Sequence, residues 1–178
     1  IMDNIMTSTN GEKLPILLGI LKDEAVRTNE AMAKQLGIIQ STAVTCVKPS
    51  GNASVLLQTA SGIHAEHSPR YIRNIQMNKE SEITQAIVKS NPYMIEESVW
   101  SANGTDVVIS FPIIPNKGSM YKDDLVGVKH LELVAKAQKY WVIAGTNEEL
   151  CADEGVRHNV SNTIIVDDWD EVEKYVFE

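Results

Sequence analysis

At 178 residues, 43% of them hydrophobic and 22% charged, the chain is long enough for one unit with a real core, and no apolar run is long enough to span a bilayer. Sixteen basic against 24 acidic residues give a net charge of −8, a field that repels a nucleic-acid backbone and leaves only a small anion held by local donors as an anionic partner. The opening Ile1-Met2-Asp3-Asn4 lacks the basic and apolar parts of a secretory signal, so a cytoplasmic location is expected, and without a Met at position 1 the chain reads as a fragment.

The stretch to Gly11 is polar, with Asn10-Gly11 as a turn signal. From Glu12 apolar residues recur at three- and four-residue steps: Leu14, Leu18, Leu21, Ala25, Thr28, Met32 and Leu36. This spacing predicts a long amphipathic helix with Gly19 as its weak point and Gly37 as its stop. Ile38-Ile39 then leads into a β-branched run over 42–47 of strand character, and a Pro49-Ser50-Gly51-Asn52 turn hands the chain to a short helix over 53–59. At that corner Gly51 lets the backbone bend sharply or a ligand approach closely, and Ser50 or Asn52 can cap the helix. The first free N–H groups make a site for a phosphate or carboxylate.

In His64-Ala65-Glu66-His67-Ser68-Pro69 two imidazoles flank a carboxylate, but two ligands do not close a metal site, and a structural or hydrogen-bonding role is expected. Residues 71–76 alternate as a strand, Ile72 and Asn74 on one side and Tyr71, Arg73 and Ile75 on the other. Arg70 and Arg73 are either cations near the anion site or solvated surface arginines. Residues 80–90 read as a helix with Ile83, Ile87 and Val88 as its apolar residues, stopped by Asn91-Pro92. Two strand-like runs, 94–100 and 106–112, flank Asn103-Gly104 and predict a hairpin.

A second long helix is predicted over 123–144, with Val128, Leu131, Ala135, Gln138 and Val142 on one face and Leu133, Ala137 and Trp141 around the side. An acidic loop over 148–155 precedes a strand over 156–166. Asp168 and Glu171 form a capping pair for a last helix carrying Trp169, Val172 and Val176 on one face. Cys46 and Cys151 fit neither a disulfide framework nor a Cys-x-x-Cys motif, so reduced, buried thiols are expected. The Asn-x-Ser/Thr triplets at Asn52, Asn103 and Asn159 carry no glycosylation meaning without an export signal.

The string Val47-Lys48-Pro49-Ser50-Gly51-Asn52-Ala53-Ser54, continuing through Ser61-Gly62-Ile63-His64 to Arg70-Tyr71-Ile72-Arg73, resembles the substrate-phosphate loop of the adenosylcobalamin-dependent (class II) ribonucleotide reductases. There a Lys-Pro-Ser-Gly-Thr loop precedes a short helix, a Ser-Gly-Ile-His element and a Tyr-Ile-Arg element in this order. A second stretch, His158-Asn159-Val160-Ser161-Asn162-Thr163-Ile164 followed by Asp168-Trp169-Asp170-Glu171-Val172, resembles a late segment of the same family. The resemblance implies an α/β fold: part of a ten-stranded α/β barrel with a β-hairpin insertion, the whole chain being a single unit from the carboxy-terminal portion of the catalytic domain.

It further implies that Pro49, Ser50, Gly51, Asn52 and Ala53 hold the phosphates of a ribonucleoside di- or triphosphate through backbone N–H groups, Asn52 standing where the family usually has Thr. In the intact enzyme, cobalt–carbon homolysis of adenosylcobalamin leads to a thiyl radical that abstracts the ribose 3′ hydrogen, and a dithiol reduces the product after loss of the 2′ hydroxyl. No Asn-x-Cys-x-Glu string for the radical cysteine occurs in this sequence. No catalytic residue, metal ligand or cobalamin-binding residue is therefore assigned, and the isolated chain is expected to be inactive. Exposed strand edges of a partial barrel would favour self-association into a homo-oligomer. A stand-alone nucleotide- or anion-binding module and a purely structural domain are the competing readings.

Overall fold

The apolar steps that begin at Leu14 produce helix α1, Leu14–Leu36, in the computed structural model, which describes residues 13–177. The Asn10-Gly11 turn lies outside the described residues. Gly19 does not interrupt α1, and Gly37 ends it in the left-handed conformation, φ 68°. Its N–H and that of Ile38 return to Lys34 O and Ala33 O, so the last carbonyls of the helix find donors. Leu14, Leu18 and Ala33 are buried, whereas Leu21, Met32 and Leu36 of the predicted stripe are exposed.

The chain divides into two compact units, the first formed by Ile1–His67 with Asn116–Glu178 and the second by Ser68–Pro115. The core of the first gathers Leu14, Leu18, Val47, Ala60, Ile63, Leu125, Leu133 and Ala137. Residues 42–47 are extended as expected but build no ladder: Ala43 bridges Thr146 in antiparallel sense and Val47 bridges Val160 in parallel sense. A ladder needs one partner along a whole segment. Here each end of 43–47 turns to a different partner, and the strand expected over 156–166 is reduced to a single β-bridge at Val160.

Helix α2, Asn52–Leu57, follows the corner and ends at Gln58, φ 53°. The long helix expected over 123–144 is divided. A 3₁₀ turn, Lys122–Asp124, leads through Leu125 into the core before α4, Gly127–Ala137, and α4 continues as a π-helical stretch, Gln138–Ile143. The break falls at Gly127, φ 49°, whose N–H is taken by Ile165 O at 2.8 Å, outside the helix. The deepest face of α4 is His130, Leu133 and Ala137, one step round from the predicted Val128, Leu131 and Ala135, because His130 finds polar partners inside. Helix α5, Trp169–Phe177, starts where expected, with Asp168 Oδ1 accepting the N–H groups of Asp170 and Glu171 at 3.0 and 3.1 Å.

The second unit holds a three-stranded antiparallel sheet in the order β1-β3-β2, made of β1 Tyr71–Asn78, β2 Ile95–Glu97 and β3 Asp106–Ile113. Along β1 half-buried and exposed residues alternate, with Tyr71, Arg73 and Ile75 on the sheltered side and Ile72 and Asn74 outside. The hairpin is present, with Ile95 opposite Ile109 and Glu97 opposite Val107, but β2 is only three residues long and Val99 and Trp100 stand exposed in the connection. Helix α3, Glu82–Ser90, is capped by Ser81 Oγ, which accepts Thr84 N–H at 3.2 Å. Its buried residue is Thr84, whose hydroxyl meets Ser81 Oγ at 2.7 Å, while the predicted apolar Ile83 is 65% exposed.

The expected α/β character is thus present, carried by helices around extended segments and by a sheet that is antiparallel throughout. Both cysteines are free, but Cys46 is exposed rather than buried and Cys151 only half-buried. The backbone that places Cys46 beside core Val47 turns its side chain outward, as alternation along an extended segment requires.

Candidate functional site

The Val47–Val160 bridge brings the two stretches singled out in the sequence side by side. Val47 N–H donates to Asn159 O at 3.3 Å, Ser161 N–H donates to Val47 O at 2.9 Å, and Lys48 Nζ donates to Asn159 Oδ1 at 2.6 Å. The predicted corner at 49–53 therefore leaves directly from a paired segment. Ser50 Oγ accepts Ser54 N–H at 3.1 Å and caps the short helix, while Ser54 Oγ donates back to Ser50 O. The N–H groups of Asn52 and Ala53, the first of α2, have no acceptor within the helix.

Two of the predicted donors are corrected by this geometry. Pro49 has no backbone N–H, so it shapes the corner without donating. Ser50 N–H is already held by Ser61 Oγ at 2.7 Å. The remaining predicted donors are the N–H groups of Gly51, Asn52 and Ala53. Gly51 itself, φ −81°, needs no special backbone freedom, and a Cβ there would meet nothing within 4 Å. Open space above it is what a close-approaching group would occupy. Beside the corner lies a hollow of about 210 Å³ lined by Cys46, Lys48, Ser50, Ala53, Ser54 and Thr59 among others, in which Lys48 is the one charged lining residue among those described.

The glycine that the backbone does require is Gly62, φ 61°, where an added Cβ would lie 2.9 Å from Lys48 O. Gly62 belongs to a turn closed by His64 N–H donating to Ser61 O at 3.0 Å. The ring of His64 fixes this turn further. Nδ1 lies 2.8 Å from Ser61 O, an atom that only accepts, so Nδ1 carries the proton. Nε2 is then the acceptor, and it receives Thr163 N–H at 3.0 Å.

Next to it, His130 of α4 lies edge-on to His64 with ring centroids 6.3 Å apart. Its Nε2 is 3.1 Å from Ile63 O and 2.9 Å from the Asn162 amide. The Ile63 carbonyl can only accept, so a proton on Nε2 points there, and Asn162 Nδ2 lies against the same ring nitrogen. Burial, with the neighbouring His64 as a lesser cause, holds the His130 imidazole below its ordinary pKa, against the pull of the Ile63 carbonyl.

The sequence marked Ser61, Gly62 and His64 only as a string following the corner, and it missed His130, Asn162 and Thr163 as its support. The signal available was the pairing of polar residues with otherwise apolar surroundings in α4 and the late extended segment. His64, Glu66 and His67 do not converge, and among the described residues there is no group of three or more side chains able to hold a metal ion. Arg73 of β1 donates to Tyr71 Oη at 2.9 Å and stacks over the same ring, 5.7 Å from its centroid. A larger cleft of about 640 Å³ lies away from the corner, lined by Lys22, Asp23, Arg27, Glu30 and residues 143–149 among others. Its mixed charges single out no ligand.

Comparison with known proteins favours the reductase reading. No family model matches. Over 113 residues, 64% of its length, the chain is 34% identical to a probable adenosylcobalamin-dependent ribonucleoside-triphosphate reductase from Dictyostelium discoideum. Over 110 residues it is 28% identical to the adenosylcobalamin-dependent ribonucleoside-triphosphate reductase of Euglena gracilis. Over these stretches the chain is similar to adenosylcobalamin-dependent ribonucleoside-triphosphate reductases. A crystal structure of a B12-dependent (class II) ribonucleotide reductase superimposes on 73% of the chain with a TM-score of 0.61 and 22% identity, so the fold is that of part of a class II reductase. The aligned region spans 14% and 15% of the two reductase sequences and 18% of the solved reductase chain.

Proposed function

We propose that the chain is part of an adenosylcobalamin-dependent reductase acting on ribonucleoside triphosphates, a carboxy-terminal portion of its catalytic barrel, and that Ser50, Gly51, Asn52 and Ala53 form the corner that holds the substrate phosphates, with Pro49 setting its shape. The observation that carries this reading is the pairing of Val47 with Val160, which sets the phosphate corner, Lys48 and the late His-Asn-Val-Ser segment in one place. Backbone N–H groups and one ammonium with no carboxylate among the lining residues suit a polyanion. They suit it despite the net charge of −8, since contacts of a few ångströms outweigh a diffuse field.

Adenosylcobalamin supplies radical chemistry to the family. The small hollow at the corner and the charge-lined cleft do not suit a broad corrin ring. The part of this chain in the reaction is accordingly to bind and orient. A dithiol reductant, a homo-oligomeric assembly and a cytoplasmic location complete the proposal, and no helix among the described residues is long and apolar enough to cross a membrane.

The test is substrate kinetics in the full polypeptide containing this sequence. Gly51→Val, which fills the open space above the corner, raises KM for a ribonucleoside triphosphate by about tenfold or more while the fold persists. An unchanged KM in a folded Gly51→Val variant refutes the corner. A stand-alone binding module would instead bind the triphosphate in isolation and show no reductase activity within any larger polypeptide.

A further inference from the structure

The turn Ser61-Gly62-Ile63-His64 touches the phosphate corner at two points and the late segment at a third. On one side Ser61 Oγ holds Ser50 N–H at 2.7 Å, and Gly62 rests against the Lys48 carbonyl. On the other side His64 Nε2 receives Thr163 N–H at 3.0 Å. Between them the imidazole itself closes the turn through Nδ1–H to Ser61 O. A neutral ring in one tautomer satisfies both contacts; the other tautomer would set two lone pairs face to face at Ser61 O and two hydrogens face to face at Thr163.

We propose that His64 is a positioning residue of the substrate-phosphate corner: locked as the Nδ1–H tautomer, it fixes Ser61 against Ser50 and ties that corner to the segment carrying Thr163. The proposal rests on the reading of 49–53 as a phosphate corner. His64 touches no phosphate itself. It determines whether Ser61 Oγ is in place to hold Ser50 N–H, and therefore whether the following N–H groups of Gly51, Asn52 and Ala53 face one point. Preorganised donors bind an anion without having to be ordered first, so loss of the clamp appears as weaker binding. His130 supports the arrangement from α4 by holding Ile63 O, the carbonyl immediately before His64.

Two measurements on the full polypeptide test this. The first is the long-range ¹H–¹⁵N spectrum of the ¹⁵N-histidine-labelled protein near neutral pH, with His64 assigned by its loss in His64→Asn. The protonated Nδ1 pattern is expected; a protonated Nε2 pattern, or averaging between the two, overturns the proposal without reference to activity. The second compares steady-state kinetics of His64→Ala, His64→Asn and Gly51→Val. His64→Ala raises KM for the triphosphate about tenfold with a much smaller change in kcat, and His64→Asn, whose amide N–H can still close the turn on Ser61 O, recovers most of that loss.

If Gly51→Val raises KM but His64→Ala leaves it unchanged, or lowers only kcat and stability, His64 is not a positioning residue and the corner stands. If Gly51→Val leaves KM unchanged, the corner reading fails and takes this role of His64 with it.

Discussion

Gly62 rests on the carbonyl of Lys48, so that a Cβ at position 62 would come 2.9 Å from that oxygen, on a backbone with φ 61°. Gly51, eleven residues earlier and inside the predicted site, has open space and an ordinary φ of −81°. The two glycines should therefore respond oppositely to the same change. Gly62→Ala is expected to destabilise the chain by about 2–3 kcal/mol from the left-handed backbone and the contact together, and Gly51→Ala by less than about 0.5 kcal/mol. Urea unfolding of the two variants reads the difference directly.

A second close approach lies at Gly145, where an added Cβ would come within 2.9 Å of Thr45 Cβ. Thr45 is buried and its hydroxyl donates to Trp141 O, in the π-helical stretch that follows α4, while Trp141 Nε1 donates to Cys46 O at 3.0 Å. Gly145→Ala should cost about 2 kcal/mol or more, and Thr45→Ala in the same chain should relieve part of it. A double-mutant cycle is expected to show a coupling of about 1 kcal/mol; strict additivity would mean that the two residues do not meet.

His130 makes stability depend on pH. Its folded-state pKa is depressed by burial below the ordinary 6.5, so on acidification the unfolded chain binds the proton first. The contribution is fully present above about pH 6.5 and is lost as pH falls toward the depressed value. The urea midpoint should therefore fall more between about pH 7.5 and 5.5 in the native chain than in His130→Gln, which does not titrate there.

Asp168 offers a cleaner local test, because its carboxylate accepts two N–H groups at the start of α5 and is exposed. Asp168→Ala should cost about 1 kcal/mol, and Asp168→Asn much less, by thermal unfolding.

What the sequence made legible was local. Periodicity from Leu14 and the stop at Gly37 define α1, the alternation in 71–76 gives the sheltered side of β1, and Asp168 marks the start of α5. Periodicity failed where a polar residue is the buried one. Ile83 and Val88, two of the three apolar residues expected of α3, are exposed while Thr84 is buried beside Ser81, and the face of α4 turns toward His130 because Ile63 O and Asn162 lie inside. Spacing alone carries no information about such distant partners. The same reasoning explains the corner. Its Pro-Ser-Gly-Asn turn was evident, but Ser61, which accepts Ser50 N–H, and Thr163, whose N–H meets His64 Nε2, lie outside that turn.

Residue-resolved amide NMR during titration with a ribonucleoside triphosphate reads out whether the N–H groups of Gly51, Asn52 and Ala53 hold phosphate. These three signals are expected to shift first and furthest, the response weakening from triphosphate to monophosphate, vanishing for the nucleoside and being abolished by Ser50→Ala with Gly51→Val. Shifts confined to the cleft lined by Lys22, Arg27 and Glu149, with the corner silent, would contradict phosphate binding at the corner.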